Sequence, residues 1–187
     1  MAERPLRADA RRNRDKVLRA AREAFAGFGY GVPLDEIAAR AGVGPGTVYR
    51  HFPAKEALFQ AVVTARVEDL IDDARSRADA ADPGEAFFGF LRRIAEEAAA
   101  KRDLPDAIAI SGSLQAALHA ALDVLLRRAQ DAGAVRADVR TPDLIVLFKA
   151  MLASIHDGSA GAPNPALRDR VFAVIADGLR PPRRTDT

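Results

Sequence analysis

Within nine residues the chain places a hydroxyl, a phenol, a guanidinium, an imidazole and an ammonium, on Thr47, Tyr49, Arg50, His51 and Lys55, with no carboxylate between them. Such a set suits nucleic acid. A threonine offers a methyl or a hydroxyl to a base edge, an arginine pairs with guanine, and phenol, imidazole and ammonium donate to phosphates. Arg50 is equally readable as a solvated charge. The chemistry of catalysis is thinner. His51, His119 and His156 lie far apart, without the spacing of a metal site or a neighbouring acid and nucleophile. Asp72-Asp73 and Glu96-Glu97 read as solvated faces. No enzyme activity, metal or cofactor is expected.

Positioning these groups requires a short, exposed helix held from behind. Leu34, Ile37, Ala38 and Ala41 make an i, i+3, i+4, i+7 face on one helix. Gly42 can take the left-handed backbone that ends it. Gly44, Pro45 and Gly46 then reopen the chain into a second helix over Thr47 to Phe52. A small residue at Ala38, a glycine in the turn and an apolar anchor at Val48 are what a helix-turn-helix needs to pack two short helices at a steep angle.

With its flanks this segment resembles the DNA-binding domain of the tetracycline-repressor (TetR) family. The matching residues are Ile37, Ala38, Ala41, Gly42, Val43, Gly46, Thr47, Val48, Tyr49, His51, Phe52, Lys55, Glu56 and Leu58. The resemblance is close over about the first 65 residues. Beyond them it rests on helix layout and on the stretch from Gly133 to Val139. It implies that Pro45, Gly46, Thr47, Tyr49 and Arg50 lie on or near the surface that meets DNA, joined at phosphates by His51 and Lys55. One departure is Pro33-Leu34-Asp35-Glu36, where many members carry a threonine whose hydroxyl caps the helix.

Composition agrees with a folded, nucleic-acid-directed chain. The 187 residues are 49% hydrophobic and include no cysteine, so neither a disulfide framework nor a thiolate metal site is available. The net charge of +2 is unevenly spread: residues 1–55 hold 11 Lys/Arg against 6 Asp/Glu, and the remainder 17 against 20. The attraction for phosphate therefore lies where the motif lies. No stretch has the roughly 18 apolar residues of a membrane span, and no signal peptide is evident, so a cytoplasmic protein without membrane contact is expected.

The apolar clusters fall almost everywhere at helical spacing, which predicts an all-α fold. Val17, Leu18, Ala21, Ala24, Phe25 and Phe28 line a first helix ending at Gly29, with Arg11, Arg12, Arg14 and Lys16 near its start as backbone clamps. After Pro53 a long helix keeps one stripe from Leu58 to Ala74, long enough to carry motion between two cores. Asp82-Pro83-Gly84-Glu85 reads as a cap for the next helix. Asp103-Leu104-Pro105 opens a short helix through Ile110, and Ser111-Gly112-Ser113 caps the following one. Residues 132–139 form a turn-rich joint, and Thr141-Pro142 and Asn164-Pro165 cap the last two helices.

Those two helices are apolar on more than one face, which reads either as a thoroughly buried pair inside a monomer or, as suits an operator-binding helix-turn-helix protein, as a homodimer interface. The latter is expected at Leu144, Phe148, Leu152, Val171, Phe172, Val174 and Ile175. The resemblance implies a four-helix bundle there, two helices from each subunit. A small-molecule effector is expected among Phe87, Phe90, Leu91, Ile94, Leu122, Met151 and Ile155, with Gln115 and His119 as polar anchors. A histidine merely satisfied in the core or at the surface is the alternative for His119. The expected organisation is a three-helix DNA-binding domain with a helix-turn-helix at residues 1–55, a helical bundle for ligand sensing and dimerisation at 56–180, and a disordered tail at 181–187. The reading is a ligand-responsive regulator, most simply a repressor that binds a palindromic operator in double-stranded DNA as a dimer. The alternative is a helical partner-binding protein that reuses a helix-turn-helix without DNA.

Overall fold

Eight helices follow one another through a computed structural model that describes residues 3–99, 110–156 and 165–182. They are α1 (Glu3–Phe28), α2 (Leu34–Ala41), α3 (Pro45–His51), α4 (Lys55–Arg77), α5 (Pro83–Ala99), α6 (Gly112–Asp131), α7 (Thr141–His156) and α8 (Pro165–Leu179). Among the described residues there is no strand, so the all-α expectation holds. The short helix expected over Asp103 to Ile110, the Asn164 cap and most of the tail lie outside the described residues. The chain divides into two compact units, and the division falls inside α4, between Arg66 and Val67.

In the first unit α1, α2 and α3 pack on one another around Val17, Ala21, Ala24, Ile37, Ala38, Val48 and Leu58, each fully buried. Burying such a side chain stabilises the fold by roughly 1.5–3 kcal/mol. Ala38 admits the close helix crossing, and Val48 anchors α3 from behind. The turn between α2 and α3 closes as a Schellman motif: the Gly42 N–H donates to the Ala39 carbonyl and the Val43 N–H to the Ala38 carbonyl, both at 3.1 Å. Gly42 sits at φ 65°, a conformation that costs an L-residue about 1–2 kcal/mol. Helix α1 begins at Glu3, about two turns ahead of the arginine cluster that marked its start in sequence.

In the second unit α5 packs on α6, α7 and α8 at once. Phe87, Phe90 and Leu91 are at most 1% exposed, and Leu125, Leu126, Leu144, Met151, Phe172 and Leu179 close the same core. Caps set where the helices begin. The Asp82 carboxylate accepts from the Glu85 N–H at 2.9 Å, and the Ser111 hydroxyl accepts from the Leu114 N–H at 3.3 Å, as the sequence predicts. Thr141 departs from expectation. It is 8% exposed and donates its hydroxyl to Asp123 of α6 at 2.8 Å, while the Asp143 carboxylate takes the Arg140 N–H at 2.8 Å. A buried hydroxyl needs a partner more than an exposed helix end does, so Thr141 serves the core and Asp143 the cap.

The joint before α7 is fastened at both ends. Val135 enters the core, the Arg136 N–H donates to the Leu179 carbonyl at 3.0 Å, and Gln130 Nε2 donates to the carbonyls of Arg136 and Val139 at 3.0 and 2.9 Å. Asp73 corrects its sequence reading. Its side chain is only 15% exposed and is held by Arg77 at 2.8 Å and Arg93 at 3.0 Å, so it ties α4 to α5, whereas its neighbour Asp72 is solvated at 78%.

Candidate nucleic-acid interface and effector region

The site is built on α3, a helix of seven residues whose buried residue is Val48. With Val48 turned inward, positions 45, 46, 49 and 50 form a single outward stripe. Pro45, Gly46, Tyr49 and Arg50 are exposed there, Tyr49 by 48%, while Thr47 and His51 are half-buried on the flanks. Gly44 opens α3 with extended backbone and no side-chain cap, and Pro45 takes a first-turn position where its missing N–H costs nothing. The start of α2 likewise has no side-chain cap at Pro33, matching the departure noted in sequence. In this structure Arg50 lies back along its own helix, its Nε donating to the Gly46 carbonyl at 3.0 Å.

Beside α3 the first turn of α4 carries Lys55, half-buried, its ammonium 4.7 Å above the centre of the Tyr30 ring. Tyr30 is a residue whose part the sequence did not disclose. Its ring stacks on Phe25 at 6.1 Å and meets Phe59 edge-on at 5.3 Å, and its hydroxyl donates to Glu56 Oε1 at 2.7 Å. Desolvation, then the carboxylate accepting its proton, push the Tyr30 hydroxyl up to about 12. The same hydrogen bond is the main reason Glu56 is held below its ordinary range. A tyrosine beside the Gly29 stop is visible in sequence, but nothing there pairs it with a carboxylate 26 residues on. Arg14 of α1 is drawn to the end of α3 by the Phe52 ring, its guanidinium 5.5 Å from the ring centre.

This geometry has counterparts among known proteins. A family model described as bacterial regulatory proteins of the tetR family matches residues 17–62, and one described as the C-terminal domain of SbtR-like transcriptional regulators matches residues 82–181. The second alone spans more than half of the chain. The protein belongs to the TetR family. As a member it is a DNA-binding transcriptional regulator, from a family that is not enzymatic. A TetR transcription regulatory protein from Mycobacterium vanbaalenii, solved by crystallography, is 46% identical, with 95% of this chain and 100% of that one covered and a TM-score of 0.68. A TetR transcriptional regulator from Streptomyces coelicolor is 31% identical, covering 90% and 98% of the two chains at a TM-score of 0.73. The HTH-type transcriptional activator FasR of Mycolicibacterium smegmatis is 39% identical over 89 residues, which are 42% of this chain and 40% of that protein.

In the second unit of this TetR-family chain, the residues expected to line an effector site are brought together as packed core. Phe87, Phe90, Leu91, Leu122 and Met151 belong to one buried cluster and Ile94 packs against it. Gln115 is exposed and His119 half-buried, and the Ile155 side chain lies outside the described ones. A groove of about 410 Å³ lies elsewhere, between α5 and α8, with Phe88, Arg92, Ala95, Phe172, Ala176 and Arg180 among its lining residues. Of the expected interface residues, Leu144, Phe148 and Phe172 are turned into the chain's own core. The amphipathic turn of α7 places Val146 and Leu147 outward instead, 66% and 40% exposed. Val174 is 73% exposed, Val171 and Ile175 are half-buried, and the Leu152 side chain lies outside the described ones. Among the described residues no group of three or more His, Cys, Asp or Glu could hold a metal ion, and no helix is long and apolar enough to cross a membrane.

Proposed function

We propose that the protein binds a palindromic operator as a homodimer and represses transcription until a small molecule releases it. The observation that carries the DNA half is the outward stripe of α3, open at Pro45, Gly46, Tyr49 and Arg50 while Val48 behind it is wholly buried. A helix anchored on one side and bare on the other suits insertion into the major groove, with Thr47 and Arg50 at base edges and Tyr49, His51 and Lys55 at phosphates. The dimer half is supported by Val146, Leu147 and Val174, large apolar side chains that α7 and α8 leave in solvent.

The effector enters among α5, α6 and α7 by parting the packed apolar cluster of Phe87, Phe90, Leu91, Ile94, Leu122 and Met151, with the half-buried His119 a polar anchor at its edge; Gln115, exposed, is the weaker one. The groove between α5 and α8 favours a second location. Release requires the effector to prefer a DNA-incompetent arrangement of the regulator, since equal affinity for both arrangements shifts nothing.

Selection of bound sequences from a random duplex pool tests the reading. An inverted repeat with half-sites about one helical turn or a small multiple apart is expected. Recovery of an asymmetric single site, or of no sequence at all, overturns it. A reporter placed behind the selected operator then gives the sign, and a metabolite screen gives the effector. His119→Ala desensitises the response if the effector sits in the core, and Arg92→Ala if it sits in the groove.

A further inference from the structure

We propose that Tyr30 keeps Lys55 available to DNA by occupying the carboxylate of Glu56, the neighbour that would otherwise pair with the Lys55 ammonium. The inference rests on the reading of Lys55 as a phosphate contact and makes Tyr30 a positioning residue for it.

Three observations carry it. The Tyr30 hydroxyl donates to Glu56 Oε1 at 2.7 Å, a short hydrogen bond to a charged acceptor. The ammonium of Lys55 rests 4.7 Å from the centre of the same ring and makes no ion pair among the described residues. Adjacent residues on a helix can nevertheless pair when nothing intervenes: Arg168 and Asp169 of α8 do so at 2.8 Å. One aromatic side chain therefore acts on two opposite charges with its two ends, its π face toward the cation and its hydroxyl toward the anion. Phe25 and Phe59 hold the ring in place, so neither end is free to wander. Among the influences on Glu56, the Tyr30 hydrogen bond outweighs the field of Lys55.

The consequence concerns counterions. A lysine that neutralises a phosphate releases a cation from the DNA and steepens the salt dependence of binding; a lysine already neutralised by its own glutamate does not. Removing the hydroxyl alone should therefore cost one phosphate contact although the lysine is still there.

The test measures binding of the full chain to random-sequence duplex DNA across a salt series, together with thermal melting. Lys55→Ala is expected to reduce the slope of log K against log salt by about one. Tyr30→Phe should reduce it equally with the ring still in place, and Tyr30→Phe combined with Glu56→Gln should restore it. Glu56→Gln alone should keep the wild-type slope. A purely structural role for Tyr30 would lower the melting temperature and leave every slope unchanged. A wild-type slope for Tyr30→Phe beside a reduced one for Lys55→Ala overturns the proposal and spares the phosphate reading. An unchanged slope for Lys55→Ala overturns both. Failure of Glu56→Gln to restore the slope in the Tyr30→Phe background also overturns the proposal.

Discussion

Gly84, in the first turn of α5, lies so close to Ala134 in the joint before α7 that a β-carbon on the glycine would stand 2.7 Å from the Ala134 β-carbon. Neither atom is the end of a flexible side chain, so backbone must move to admit it. Gly84→Ala is expected to destabilise the protein by roughly 1–3 kcal/mol, as overpacking does. Thermal melting checks this, and Ala134→Gly in the same chain should return part of the loss. Equal melting temperatures for wild type and Gly84→Ala would show that the joint yields freely.

Gly42 makes a different case, because a β-carbon there meets nothing within 4 Å and only the positive φ resists it. Gly42→Ala should cost about 1–2 kcal/mol from backbone strain alone. Gly42→Asn should cost less, since asparagine tolerates the left-handed region better than alanine. Denaturant melts of the pair give the ranking, and an alanine variant as stable as wild type would contradict it.

Thr47 should separate reading from holding. Thr47→Ala is expected to change preference among operator sequences by about 1–3 kcal/mol at the contacted base pair. Binding to random DNA should hardly change. Parallel titrations on selected and random duplexes decide the point, and equal losses on both would remove Thr47 from base reading.

Val174 is the most exposed large apolar side chain recorded on α8, and a charge there is cheap in the isolated chain. Val174→Asp should leave melting of the monomer nearly unchanged while shifting the sedimentation of the protein toward the monomer and weakening operator binding with it. Leu144→Asp, by contrast, should unfold the subunit, because Leu144 is fully buried. A Val174→Asp protein that still sediments as a dimer would place the interface on another face.

Alkaline titration reports on Tyr30. Its folded value of about 12 lies above the ordinary 10, so between the two the native state binds more protons than the unfolded one. Stability attributable to this group is therefore complete below about pH 10 and is lost as pH rises toward about 12. The chain has 2 tyrosines, so the tyrosinate absorbance of wild type minus that of Tyr30→Phe isolates the group. A midpoint near 10 in that difference, with the fold intact, would contradict the Tyr30–Glu56 hydrogen bond.

Much of this architecture is legible in the sequence because local rules and packing agree. The face through Leu34, Ile37 and Ala38, the stop at Gly42 and the anchor at Val48 each appear where periodicity and turn chemistry put them. Helix spacing, however, reports that a residue is apolar and not which of two neighbours turns inward. Leu144 and Val146 look alike on the page, and only packing against α5 and α6 sends one into the core and the other into solvent. Pairings distant in sequence were hidden for the same reason. Tyr30 with Glu56, Asp73 with Arg93 and Thr141 with Asp123 join positions that no local pattern links.

The brevity of α3 limits what one copy of the protein can know about DNA. Seven residues extend about 10 Å along the helix axis, which spans about three base pairs. A word of three letters recurs by chance at about one position in 64, so a single recognition helix would be lost among competing sites. Two such words read together recur at about one position in 4,000, and fixing the gap between them removes most remaining coincidences. For the proposed dimer, the address is thus written largely in a distance. In that dimer, a substitution or ligand that alters the spacing of the two recognition helices changes which DNA fits, or whether any does, without touching a residue that meets a base.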